Sequence, residues 1–567
     1  MMRAARRSGA SLLPLLLLSA ALLAASPARA LAQKPQEAER LAQKGAEYLG
    51  RRDWARARES YQKAVRADAR NVEANYGLGV ACMNLKQTTD ALGAFSNVIE
   101  AQPNPRVKDA LVYTGLIHFS LGHFKEASDA IGLAVPLGDI GPGGHYFLGK
   151  AYQQMGRDAD ALPHLQAALS EPQYAQDASL SVGFLLVKQG KGREAVAPLE
   201  TAARLNPRNA QAMAMLGFAY LSAERPEEAL AALRAADAIT PGDFLTQLGL
   251  GFAHLSLYHN EEALAAFTAA LRQQPASPEA LTGLGGAYAR TGRYREAEDA
   301  LARALSAKPD SPDVLLAQCY LYYAQGQYTR LLDAARQAVR LAPQRADAQV
   351  LLGAALAITG DMEAGMRSAR EAARIEPENY QPHQVLGFIL VREDKAQEAL
   401  AEAREAARIR PNYPDAQNLL AYVLNQLGQH EEALRAAQAA LQYKHEPADE
   451  GWAYYNVAGA QEKLGRAEES RASYAAAIRA YNQPGRTLDP DDLYLMGNAY
   501  LRLDQDLPAV KAFQQAIKVR PDFAQARYNL GLAYFAAGNK KGAQDEYTAL
   551  RRIDPQRAAK LLTLIRK

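Results

Sequence analysis

Hydrophobic residues recur along most of this chain at helical spacing, in blocks that Gly and Pro interrupt. In one representative block, Leu281, Leu284 and Tyr288 stand at i, i+3 and i+7 and therefore fall on one helical face. Gly292 is placed to end that first helix, and a second helix then runs to Pro309, which cannot continue it. The pattern predicts pairs of short helices, and it offers little alternating Val, Ile or Thr sequence for a sheet.

The blocks repeat with a fixed period. One Ala position is kept in eight successive blocks, and a small residue, most often Gly, keeps the same period in the first helix. A chain of 567 residues exceeds what one hydrophobic core usually organises, so the periodicity indicates a repeat array. Seven prolines at 34-residue spacing mark the period most plainly: Pro207, Pro241, Pro275, Pro309, Pro343, Pro377 and Pro411.

These residues resemble the tetratricopeptide repeat (TPR) family. Its motif has Leu-Gly and then Tyr in the first helix, two small residues around an aromatic in the second helix, and a final Pro. One clear match consists of Met496, Gly497, Tyr500, Ala509, Phe513, Ala516 and Pro521. The resemblance implies an all-α fold, a helix-turn-helix solenoid that forms a right-handed superhelix.

The frame divides residues 33–555 into about fifteen repeats, followed by a C-terminal capping helix over 556–567. The repeats start near residues 38, 72, 108, 142, 176, 210, 244, 278, 312, 346, 380, 414, 451, 490 and 524. The spacing lengthens at 444–451 and 481–490, where the array has a possible break. Longer surface loops on a continuous solenoid are favoured over a hinge there, because loops accept insertions at little cost.

The first 32 residues form a separate segment. A basic start, an apolar run over 12–25 and small residues at a cleavage position are typical of a secretory signal peptide. An uncleaved N-terminal anchor is the alternative, although the run is shorter than a spanning helix needs. We therefore expect export to a periplasmic or extracellular location, with membrane contact only through a partner or an uncleaved anchor.

Charge and composition exclude several classes of function. Residues 1–32 hold four Arg and no acid, so their removal lowers the formal charge from +3 to −1, without the basic excess that nucleic acid binding needs. The two cysteines, Cys82 and Cys319, are too few for a disulfide framework, and the nine His show no zinc spacing. The run Gly144–Lys150 nearly spells a phosphate loop but falls inside a predicted helix. We expect no cofactor, no metal, no nucleic acid and no enzymatic activity.

The resemblance also implies a binding surface, because first helices line the concave side of such arrays. Aromatic residues recur at two inner positions of the repeat, which suits an apolar or amphipathic peptide, although rings at this spacing equally pack between helices. The candidate groove residues are Tyr76, Tyr146, Phe184, Phe218, Phe252, Tyr320, Phe388, Tyr422, Tyr455, Tyr494 and Tyr528.

The function expected from the sequence is a non-catalytic scaffold for protein or peptide partners in a bacterial envelope complex. An accessory TPR subunit of an envelope enzyme system for secretion, polysaccharide export or glycosyl transfer is the alternative. An RNA-binding helical-repeat protein is disfavoured by the net charge and the N-terminal segment. A carboxylate clamp is disfavoured too, since Asn498 and Asn529 fill only two of its places.

Overall fold

The computed structural model describes residues 35–442, 447–483 and 488–566, and over this part it holds 31 α-helices and no strand. The predicted all-α solenoid is therefore confirmed. Two compact units divide the chain between Asn206 and Pro207, and each is described by itself. Helices are numbered in chain order, so that odd numbers are the first helices of the repeats and even numbers the second helices.

The N-terminal unit contains five helix pairs. They are α1 Pro35–Gly50, α2 Trp54–Ala67, α3 Val72–Asn84, α4 Thr88–Glu100, α5 Val107–Ser120, α6 Phe124–Ala134, α7 Gly141–Gln154, α8 Asp158–Ala167, α9 Pro172–Lys188 and α10 Gly192–Leu205. Short 3₁₀ turns follow α6 and α8.

The C-terminal unit contains ten further pairs and a final single helix. They are α11 Ala210–Ser222, α12 Pro226–Ile239, α13 Phe244–Ser256, α14 Asn260–Gln273, α15 Pro278–Arg290, α16 Tyr294–Ala307, α17 Pro312–Ala324, α18 Tyr328–Leu341, α19 Ala346–Ile358, α20 Met362–Ile375, α21 Tyr380–Arg392, α22 Ala396–Ile409, α23 Pro414–Gln426, α24 His430–Gln442, α25 Pro447–Lys463, α26 Ala467–Tyr481, α27 Pro490–Arg502, α28 Asp506–Val519, α29 Ala524–Ala536, α30 Lys540–Ile553 and α31 Pro555–Ile565.

Local signals set the ends of each helix. At the start of α15 the Ser277 hydroxyl accepts a hydrogen bond from the backbone N–H of Ala280, and Pro278 occupies the first turn, where its missing N–H costs nothing. The helix ends at a turn in which Gly292 has φ +72°, a left-handed conformation that glycine adopts without steric penalty. The turn predicted at Gly292 is thus confirmed.

Small residues let the two helices of a repeat, and the next first helix, approach closely. Phe267 on α14 is fully buried, and a Cβ at Gly251 or Gly283 would lie less than 3.0 Å from its ring. The Ala ladder has the same role, since all eight members have no accessible surface: Ala202, Ala236, Ala270, Ala304, Ala338, Ala372, Ala406 and Ala440. A larger side chain at these places would separate the layers.

Within each unit, successive first helices touch one another. In the N-terminal unit α1 packs on α3 and α5 on α7, and in the C-terminal unit α15 packs on α17 and α23 on α25. No second helix of the described chain makes a comparable contact with the next second helix. The array of helix pairs in each unit therefore curves, with the first helices on its inner side.

The described helices form fifteen pairs, and the single helix α31 follows the last pair. The signal peptide lies outside the described residues, as do 443–446 and 484–487 within the two candidate break regions. On the described sides of the first gap, α25 packs on both α23 and α24. No helix in the described part of the chain is long and apolar enough to span a membrane.

Candidate functional site

The eleven candidate aromatics all lie on first helices, and none of them is fully buried. Phe184, Tyr320 and Phe388 are exposed, and the other eight are half-buried. The fully buried rings instead lie on second helices, among them Phe95 and Phe513. The repeat thus separates two aromatic positions, one that fills the core and one that reaches the inner surface.

In the N-terminal unit, an aromatic and charged patch joins α7 and α9. The Tyr146 ring stacks on that of Tyr174, with centroids 4.5 Å apart. The Tyr146 hydroxyl donates to Asp177 Oδ2 at 2.8 Å, and the same carboxylate pairs with Lys150 Nζ at 3.0 Å. Burial raises the pKa of Tyr146, with the Asp177 carboxylate as the next cause, so this hydroxyl stays protonated and can donate a hydrogen bond.

Two more candidates of this unit have different surroundings. Phe184 exposes 38% of its surface although its neighbours Gly183 and Leu185 are buried, so its ring stands out from the inner side of α9. Tyr76 instead packs against Phe95, at 6.2 Å between ring centroids, and also contacts Tyr113. Phe184 is therefore open to solvent, whereas Tyr76 contributes mainly to packing.

In the first repeats of the C-terminal unit, the two candidates pack against neighbouring helices, either the second helix of the same repeat or the first helix of the next repeat. Phe252 meets Phe267 edge-on, with centroids 5.1 Å apart. Phe218 reaches toward Gly249 of the following first helix, where a Cβ would come within 3.3 Å of its ring. Both rings are half-buried against the core beneath them, and the remaining ring faces line the inner surface.

Farther along this unit, inner aromatics of successive repeats touch each other. Phe388 stacks on Trp452 at 5.3 Å, and Trp452 also lies 6.5 Å from Tyr422. Tyr455 and Tyr494 each contact aromatic rings of their own repeats, and Tyr528 packs near the capping helix. Inner rings of repeats eleven, twelve and thirteen therefore meet through Trp452, and repeats fourteen and fifteen add one candidate ring each.

Tyr320 is the most exposed of the candidates, with 56% of its surface accessible. Desolvation by neighbouring protein groups still raises its pKa. Burial also raises the pKa of Tyr422, Tyr455 and Tyr494. These phenol groups therefore stay protonated at neutral pH and can donate hydrogen bonds.

Sequence reasoning missed several inner-wall residues because they lie outside the two positions that define the stripe. Trp452 follows the lengthened spacing near 444–451, and Tyr174 stands at the start of α9. A search for every aromatic on a predicted first helix would have found Trp452, whereas Tyr174 precedes the predicted start of its repeat near residue 176. Of the clamp candidates, Asn529 Nδ2 donates to Asn498 Oδ1 at 2.6 Å, so the two amides bind each other.

Catalytic and metal chemistry find little support among the described residues. No group of three or more His, Cys, Asp or Glu side chains there is arranged to hold a metal ion. Cys82 and Cys319 are buried, and burial raises the pKa of the Cys82 thiol to about 11, which disfavours the thiolate. Gly144–Lys150 lies within α7, where Gly149 makes room for Leu165 of the same repeat.

Comparison with protein families agrees with the helix pairs. Models described as tetratricopeptide repeat or TPR repeat match segments in both units and together cover well over half of the chain. The chain belongs to the tetratricopeptide repeat family. The matched segments are 42–104, 185–244, 255–320, 316–380, 390–451, 453–484, 497–538 and 525–557.

Two further comparisons complete this result. Comparison with the curated proteins gives no match. Among solved structures, the chain is similar to the "Crystal structure of APC/C hetero-tetramer Cut9-Hcn1", with a TM-score of 0.47 and 13% identity. The alignment covers 88% of this chain and 96% of that chain.

Proposed function

We propose that this chain is a protein-interaction scaffold that holds extended peptide segments of its partners against the inner aromatic walls of its two units. The observation that carries the proposal is the separation of aromatic positions: buried rings on the second helices fill the core, while the first-helix candidates all keep accessible surface. Apolar groups that form a series along one surface mark an interaction site more often than single exposed residues do.

The chemistry of the walls favours a particular kind of peptide. Aromatic rings supply large apolar contact area at low entropic cost, and the Tyr hydroxyls add hydrogen-bond donors. Charged groups of the N-terminal patch are already paired, since Lys150 and Asp177 neutralise one another. An extended segment with apolar or aromatic side chains at alternate positions fits these walls better than a strongly charged segment does.

We also propose that this scaffold acts outside the cytoplasm. The basic and apolar start of the sequence supports export, and export supports a role in a periplasmic or extracellular complex. Cell fractionation with N-terminal sequencing tests it: a mature chain that begins near Leu31 or Gln33 in the exported fraction supports export. A chain with intact Met1 in the membrane fraction supports the anchor instead.

An accessory role in an envelope enzyme system is the second candidate. In this role the helix pairs of the described chain hold the enzyme, and the enzyme performs the chemistry. Purification of the native complex distinguishes the two, because an accessory subunit copurifies with an enzyme at fixed stoichiometry.

Site-specific photocrosslinking tests the binding surface itself. A photoreactive residue at Phe184 or Phe252 should capture partners in the native cells. The matched outer positions are Ala197 on α10 and Ala302 on α16, both exposed on second helices of the same region. Equal or stronger capture from the outer positions would move the binding surface away from the inner wall.

A further inference from the structure

Three side-chain bridges in the C-terminal unit join repeats that are far apart in the chain. Tyr323 Oη donates to Asp489 Oδ2 at 2.6 Å, across 166 residues. Arg557 Nη2 pairs with Asp394 Oδ2 at 3.2 Å, across 163 residues. The third bridge is an ion pair between Arg410 and Glu224. All three lie within one compact unit, so they describe how that unit folds back on itself.

The bridges share one geometry. On one side, each residue lies at or beside the turn between the two helices of a repeat: Glu224 follows α11, Tyr323 ends α17 and Asp394 follows α21. On the other side, about five repeats later, Arg410 and Asp489 lie in loops between repeats and Arg557 lies in the first turn of α31. The edge of the array that carries the turns within repeats therefore meets the edge that carries the connections between repeats, about one superhelical turn later. We name these three bridges the seam.

Close backbone approach accompanies the seam. A Cβ added at Gly326, three residues after Tyr323, would contact Val519 at 3.5 Å. A Cβ added at Gly360, in the equivalent turn of the next repeat, would lie 4.0 Å from Asp522 Oδ2. The two edges thus touch over more than one repeat, and the seam bridges are part of a continuous contact.

Backbone conformation is compatible with the seam. The turn between paired helices needs positive φ, and most repeats place Gly there. Glu224 and Asp394 adopt φ values of 60° and 58° at this position and supply carboxylates that Gly cannot supply. Four other turns hold a side chain in the same conformation outside the three bridges: Arg52, Lys86, Tyr258 and Asp504.

The seam lies beside the inner wall. Tyr320, one turn of α17 before Tyr323, exposes 56% of its surface on that wall. The pKa shifts agree with the close approach of Tyr323 and Asp489. The Asp489 carboxylate raises the pKa of Tyr323, and burial raises the pKa of Asp489. Each bridge is partly exposed, and such pairs are individually weak. A contact built from weak bridges is reversible.

We propose that the seam is a closure that regulates access to the inner wall of the C-terminal unit. While it is shut, the wall admits only a narrow chain; when it opens, the wall becomes accessible to a folded partner. The inference deepens the proposed function and rests on it for its biological role. The closure itself is a property of this chain alone.

Thiol labelling of Tyr320→Cys tests the closure without any partner. The probes are N-ethylmaleimide and a maleimide carried on a small folded protein. The native cysteines are buried, and the chain without the new thiol supplies the background rate. In the shut state the small reagent should react readily, and the folded reagent should react far more slowly than it does with a surface cysteine.

The seam variant combines Tyr323→Phe, Arg410→Gln and Arg557→Gln, none of which is a groove candidate. It should raise the labelling rate with the folded reagent by about tenfold, because three weak bridges together shift an opening equilibrium by about that factor. The rate with N-ethylmaleimide should stay within about twofold, since a small reagent does not need the opening.

Arg471→Gln is the matched control. It removes an Arg–carboxylate pair to Asp504, another acidic residue at positive φ, but one that joins neighbouring repeats at 3.1 Å. It should leave both rates unchanged. If the triple variant loses helicity, Arg557→Gln alone serves, with a smaller rise expected. An unchanged folded-reagent rate in a folded seam variant overturns the closure and leaves groove binding untouched.

Discussion

At the scale of single residues, the sequence predicted the packing of each repeat well, because contacts within a repeat recur with its period. The Ala ladder and the Gly positions are where the period places them, and their burial follows from the close approach of helices. Exposure of the inner aromatics was not predictable from spacing alone. A ring on a first helix has similar spacing whether it is covered, like Tyr76, or exposed, like Phe184.

The Ala ladder makes a direct prediction. Ala304→Leu should lower the free energy of unfolding of the C-terminal unit by about 1–3 kcal/mol, because a fully buried site has no room for three more carbons. Ala302→Leu is the control, since Ala302 is exposed on the same helix. Urea denaturation measures both. A loss no larger than that of the control would mean that the helices do not meet at Ala304.

Two glycines of α15 should respond in opposite directions to Ala. Gly283→Ala should destabilise, because its Cβ would overlap the buried Phe267 ring. Gly286→Ala should stabilise by about 0.5–1 kcal/mol, because nothing lies within 4 Å of its Cβ and Ala is the better helix former. Thermal melts of the two variants measure the difference. A stabilising effect at Gly283 would contradict the close approach of α14 and α15.

At the scale of helices, three histidine pairs lie between the two helices of a repeat. Nδ1 of His145 and Nδ1 of His164 are 2.8 Å apart, and those of His254 and His259 are 3.4 Å apart. His118 lies beside His123 in the same way. Burial lowers the pKa of one member of each pair, which is His118, His164 and His254. Nearby acids, such as Glu126, Asp160 and Glu262, only partly offset that effect.

The sign of the pH dependence follows from these shifts. A lowered pKa means that the folded chain binds fewer protons than the unfolded chain below the ordinary value of 6.5. Stability should therefore be complete above pH 6.5 and decrease as the pH falls below that value. Replacing the three shifted histidines by Gln should flatten this part of the profile, as followed by urea midpoints from pH 7.5 to 5. An equally steep decrease in the triple variant would assign the effect to other groups.

At the scale of the whole molecule, the sequence predicted the class of fold but not how distant repeats meet. The period determines the neighbours of each helix, whereas small rotations between repeats accumulate over several repeats. The bridge from Tyr323 to Asp489 depends on that sum, so no local pattern contains it. The division at Asn206 and Pro207 also has no signal in the spacing, because Pro207 is a regular member of the proline ladder.

The central claim is that inner-wall aromatics bind a peptide segment, and Phe218 and Phe252 test it most directly because they lie on successive first helices of one unit. Their double replacement by Ala should weaken the affinity for a crosslinked partner segment by well over tenfold, since aromatic anchors commonly contribute about 2 kcal/mol each. Double replacement by Leu separates binding from packing, because Leu restores most of the buried volume.

The deciding measurement is therefore the Kd of the partner segment, taken with the Tm, for the Ala and Leu double variants beside Phe267→Ala. Phe267 is fully buried, so its replacement should lower stability by about 3–5 kcal/mol and leave the Kd of the folded fraction near that of the native chain. We expect the Leu variant to melt nearly as the native chain does and yet to bind far more weakly. A Leu variant that binds with native affinity would contradict the inner aromatic wall as the binding surface.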